Sequence, residues 1–178
     1  MGSSAAVLAG ILLGSGRPGE ALATLEEVRP TQERLVAEDV LEDPELPDID
    51  LRNFELRRVL AEILARKAEA LAALGRTDEA AAAVKRSIGV VETLVEAEPC
   101  YLYPLARYLA LASTMPEGAG IPDAADRAMA ALGQFLAGGF DNPYKLEHDE
   151  RLEPLRDRDD FRAMVRELRE KLEAEVAR

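Results

Sequence analysis

A six-residue junction that occurs twice governs what this chain can fold into. Gly16-Arg-Pro-Gly-Glu-Ala21 and Gly75-Arg-Thr-Asp-Glu-Ala80 stand 59 residues apart, each between two stretches of helical period. Before the second copy, Leu60, Ile63, Leu64, Leu71 and Leu74 recur at three- and four-residue steps. After it, Ala80, Val84, Ser87 with Ile88, Val91 and Leu94 with Val95 do the same, the spacing of one helix face and not of a strand. A glycine just past the last apolar position closes a helix in left-handed backbone, and Thr77 or Asp78 can cap the next one. Residues 58–98 therefore predict two helices folded back on each other. A hexad that repeats this arrangement predicts an all-α chain built from helix pairs.

Taken in order, the chain predicts a short apolar helix from Ser4 to Gly14, capped by Ser3 or Ser4. A second helix carries Leu22, Leu25, Val28, Leu35 and Val36, and Pro30 should kink or split it. Residues 38–50 hold seven acidic side chains and no basic one, with Pro44 and Pro47 against helix. A calcium loop starting at Asp48 and Asp50 would need a central glycine and a closing glutamate, both missing. The alternative is a solvated acidic linker pinned by Leu46 and Ile49. Pro99-Cys-Tyr-Leu-Tyr-Pro104 leads into a helix through Ala112. Tyr101, Tyr103 and Tyr108 there suit either an aromatic ligand slot or packing between helices with wet hydroxyls. A loop from Met115 to Pro122 precedes a helix from Asp123 to Ala137, which Gly138-Gly139 stops. A final helix, Asp159 to Val176, turns Phe161, Met164 with Val165, Leu168 and Leu172 inward.

The junction resembles that of the tetratricopeptide repeat. A small residue stands seven before the glycine (Ala9, Ala68) and a large apolar one four before it (Leu12, Leu71). The second alanine (Ala21, Ala80) and an apolar residue four later (Leu25, Val84) follow. The chain departs from the family in its spacing, against a family period of about 34 residues. It also carries Leu or Ala at aromatic positions (Leu64, Leu71, Leu12, Ala5) and Lys67 where the family has Leu. The segment from Gly139 to Phe161 resembles the end-of-array segment that follows such repeats in bacterial proteins, including multi-domain serine/threonine kinases. Asp149, Leu152, Pro154, Leu155, Arg156, Asp160 and Phe161 stand at its motif positions.

The resemblance implies an all-α, right-handed superhelix of about seven helices with a C-terminal capping unit. Residues 1–4 read as a vector-derived leader, 5–113 as degenerate helix pairs including the acidic linker 38–50, and 114–178 as a last pair plus cap in the same globular unit. It also implies a groove lined by the first helix of each pair, which places Glu62, Ala65, Glu69, Ala72 and Ala73 toward a partner. Chaperone-binding members clamp a peptide carboxylate there with Lys and Asn. Ala65 and Glu69 argue against that use and for a basic or apolar protein segment.

Charge supports the same direction. The formal net charge is −12 over 178 residues, which disfavours nucleic acid and anionic membrane surfaces. The apolar run from Ala5 to Leu13 is too short to span a bilayer and lacks a basic lead-in. A single cysteine, Cys100, fits a reducing, cytoplasmic setting.

Catalytic signals are sparse. His148 is the one histidine, without a second His or Cys ligand near it, and a loop imidazole bonded locally is the plain alternative to a base or metal ligand. Cys100 as nucleophile would need His148 as its base. The glycine pairs Gly14-Ser-Gly16 and Gly118-Ala-Gly120 lack the lysine and preceding strand of a phosphate loop, and the kinase signature is absent. No cofactor or metal is expected. The expectation is a non-catalytic protein–protein interaction scaffold or regulatory module, of the kind carried by larger bacterial proteins such as serine/threonine kinases. The alternatives are a homo-oligomerisation module, a homodimer among its forms, and a small-molecule-binding or enzymatic helical domain using His148 and Cys100.

Overall fold

The structure, a computed structural model, describes residues 2–39, 49–116, 121–140 and 142–176. All the regular structure among these residues is helical, with eight α-helices. The chain forms two compact units, Met1–Leu94 and Val95–Arg178. The boundary read from sequence at 113/114 falls inside the second unit, between its first two α-helices.

The first unit contains α1 (Gly2–Gly14), α2 (Pro18–Asp39), α3 (Ile49–Ala73) and most of α4 (Thr77–Val95). Helices α1, α2 and α3 all pack on one another. α4 is tied to α3 where the buried Ser87 hydroxyl donates to the Ala61 carbonyl at 2.8 Å. Ala9, Ala21, Leu25, Ala61, Ile63, Ala65, Ala68, Leu71, Ala80 and Leu94 are fully or almost fully enclosed. Alanine at so many contact positions lets helix backbones approach closely and costs no side-chain entropy.

The two junctions form the same turn. Gly16 and Gly75 have φ of 70° and 74°. Arg17 N–H donates to the Leu12 carbonyl at 2.8 Å and Arg76 N–H to Leu71 at 2.9 Å, while Gly16 and Gly75 donate three residues back to Leu13 and Ala72, each at 3.0 Å. This pair of bonds is the Schellman closure, which satisfies carbonyls left open at a helix end. In both turns the arginine then holds the glutamate three residues on with two hydrogen bonds, Arg17 to Glu20 and Arg76 to Glu79.

Several sequence expectations are corrected. α2 runs unbroken through Pro30. Its packing between α1 and α3 offsets the lost hydrogen bond and ring clash, about 3 kcal/mol for an interior proline. Leu74 is 42% exposed because α3 ends at Ala73 and the chain has already turned away. Leu172 also lies outside the core. Helix extends over Ile49 and Asp50. The remaining linker residues 40–48, and with them the calcium-loop question, lie outside the described residues, as do Gly118, Ala119 and Gly120.

In the second unit, a 3-10 turn at Pro99–Tyr101 leads into α5 (Leu102–Ser113). α6 (Ala124–Ala137) packs on α5 and starts one residue later than expected, because Asp123 takes left-handed backbone with φ of 54°. α7 (Pro143–His148) is capped by the Asn142 side chain, which accepts from Lys145 N–H. A 3-10 turn over Glu150–Leu155 packs against α5 and α7, and α8 (Asp159–Val176) closes the unit. Leu146, Leu152, Leu155 and Phe161 form the apolar centre of this C-terminal part.

Candidate functional site

Helix α1 carries no charged residue. Ala5, Ala6, Ala9 and Leu12 bury one side of it against α2 and α3. The other side leaves Val7 at 64%, Leu8 at 46% and Ile11 at 62% exposure. These positions, i, i+1 and i+4, share one helix face. A surface helix ordinarily turns charged residues outward, so a second apolar face departs from the norm.

Arg66 lies beside this helix. A Cβ at Gly10 would come within 3.2 Å of its guanidinium carbon, so the missing side chain lets the arginine approach the α1 backbone. Arg66 also donates to Glu62 at 3.1 Å and Glu69 at 3.0 Å. Of the positions considered for partner contact on α3, Glu62 and Glu69 flank Arg66, and Ala65 is fully buried. Ala72 is half-buried and Ala73 exposed. Arg66 itself was missed in the sequence, although Glu62-x-x-x-Arg66-x-x-Glu69 has the i,i+4 and i,i+3 spacing of a helix-surface ion-pair chain.

Charges beyond this face are also paired. Glu33 bridges Arg29 on its own helix and Arg86 on α4, both at 2.7 Å. Burial pushes the Glu33 carboxyl up, but the two guanidiniums outweigh it and hold it below its ordinary value. Hydrogen bonds from Arg17 and Arg76 hold Glu20 and Glu79 low in the same way.

In the second unit, Asp149 joins several groups. One carboxylate oxygen accepts from Arg151 N–H at 3.0 Å, starting the 3-10 turn. The other accepts from the Tyr103 hydroxyl at 2.8 Å and ion-pairs with Arg107 at 2.8 Å. The Asp149 carbonyl takes a hydrogen bond from Arg156. Burial, followed by the Asp149 hydrogen bond, raises the Tyr103 hydroxyl well above the usual tyrosine range. The Tyr103 ring lies 5.2 Å from Phe135 and 6.1 Å from Phe140, with the Lys145 ammonium 4.6 Å above it. The tyrosines thus serve packing: Tyr103 and Tyr108 are almost fully buried.

His148 stacks on Tyr144 with centroids 3.8 Å apart, and its Nδ1 bonds the Tyr144 carbonyl at 2.8 Å. Cys100 is exposed on the turn before α5. Among the described residues, no group of three His, Cys, Asp or Glu side chains converges as a metal site. No helix among them is long and apolar enough to cross a membrane. Comparison with family profiles, with curated proteins and with solved structures finds no match for this chain.

Proposed function

We propose that this chain is a tetratricopeptide-like interaction module whose work is to hold a segment of another protein, as a scaffold or regulatory arm. The observation that carries this reading is the outward apolar face of α1, Val7, Leu8 and Ile11, on a helix whose opposite side is fully packed. Leaving three large aliphatic side chains in water is unfavourable by roughly 25 cal/mol per Å² of apolar surface, and contiguous exposed apolar patches mark contact sites. The twin Schellman turns with matching Arg–Glu clasps support the repeat reading. The net charge of −12 gives the partner's character: apolar residues for the α1 face, flanked by basic ones.

A peptide with leucines at helical spacing and lysines between them tests this reading. Its affinity is measured by fluorescence anisotropy for the unmodified chain and for a Val7→Glu/Ile11→Glu variant. The variant is more acidic than the parent, so purely electrostatic capture strengthens in it. Docking on α1 weakens at least tenfold instead, and that loss is the expected result. Equal or tighter binding by the variant contradicts the proposal. Sedimentation of the free chain covers the second occupant, another copy of itself: dimers that the same variant dissolves would replace the scaffold reading with self-assembly.

A further inference from the structure

α8 carries two parallel rows. Phe161, Val165 and Leu168 face the core, and Arg162, Arg166 and Arg169 follow one position later at the same spacing. Like charges three and four residues apart on a helix destabilise it by some tenths of a kcal/mol each, and this row stands in a strongly acidic chain. The three arginines, with Arg156 and Glu147, line an open cavity of about 390 Å³ with Phe161 and Val165. That volume falls within the range of small-molecule sites.

The arginines are incompletely matched. Arg169 is held by both oxygens of Glu147, and Arg162 by the exposed Asp159 at 2.9 Å. Arg156 gives one guanidinium nitrogen to the Asp149 carbonyl at 3.1 Å, while its Nε is buried with no hydrogen-bond partner. Such a buried orphan donor is costly and uncommon in native proteins. No ion pair or hydrogen bond holds the Arg166 guanidinium among the described residues. Guanidinium forks match the oxygens of carboxylate and phosphate groups, and Phe161 and Val165 supply apolar wall beside them.

We infer that this cavity binds a small organic anion, an oxyanion head on an apolar body, with Arg156 and Arg166 taking the head and Phe161 and Val165 the body. The site lies wholly in the second unit and does not depend on the α1 face.

Octyl phosphate, octanoate and octanol serve as probes, titrated into the 15N-labelled full chain. Either anion is expected to bind at least tenfold more tightly than octanol, shifting amide signals in 147 and 156–169. Arg166→Gln, an exposed substitution, is expected to lower anion affinity about tenfold with octanol unaffected, and Arg166→Glu to lower it further. Unchanged circular dichroism establishes that both variants stay folded. Equal affinity for octanol and the anions, shifts confined to other residues, or anion binding untouched by both substitutions would each overturn the inference.

Discussion

Gly75 holds a φ of 74° with open space where a Cβ would stand, so substitution there meets backbone strain and no collision. Gly75→Ala should cost about 1 kcal/mol, read as a lower denaturation midpoint at unchanged slope. Glu79→Ala in the same turn should cost less than Gly75→Ala, because an exposed ion pair contributes little. At Tyr103 the sign follows from a hydroxyl raised in the fold. Its proton is held more tightly folded than unfolded, so its stabilisation is complete below the ordinary tyrosine value of 10.0. It is lost as pH rises through the folded value. Tyr103→Phe should remove that alkaline dependence and cost about 1 kcal/mol at neutral pH, both checked by urea melts at several pH values. Glu20, Glu33, Glu79 and Asp160 behave oppositely, since their carboxyls are lowered. Their contribution is present above their ordinary values and fades as pH falls through the lowered ones. Glu33→Gln should accordingly flatten the acid limb of stability against pH.

Among the elements, α2 shows where tertiary packing overrides a local signal. Pro30 interrupts the sequence pattern, yet the helix runs from Pro18 to Asp39. A helix whose interior proline persists under packing should gain from its removal. Pro30→Ala is expected to raise the first unit's stability by about 1–3 kcal/mol, measured as an upward shift in melting temperature. A downward shift would mean that Pro30 is needed where it stands. Both hexads were legible as turns because their chemistry is local: left-handed glycine, arginine and glutamate at fixed offsets. Asp149, Leu152, Leu155 and Arg156 hold the bonded or buried places described above. Leu74 was misread because periodicity cannot say at which residue a helix face stops packing. Arg66 was missed because its meaning depends on how close α1 approaches through Gly10, a long-range fact. The arginine row on α8 was not legible as a site, since nothing in its spacing announces the cavity that Arg156 also lines.

For the whole molecule, sequence conveyed the class, an acidic all-helical chain, and the structure added where each unit leaves its chemistry exposed. α1 reads in sequence as a short apolar helix; packed on one side only, it leaves Val7, Leu8 and Ile11 exposed as the proposed contact face. That face is the proposed docking surface. Amide hydrogen exchange of the full chain, with and without the leucine–lysine peptide, tests it most directly. Protection added across Ala6–Leu12, absent in Val7→Glu/Ile11→Glu, is the predicted result. Protection elsewhere with α1 unchanged, or none at saturating peptide, would contradict it.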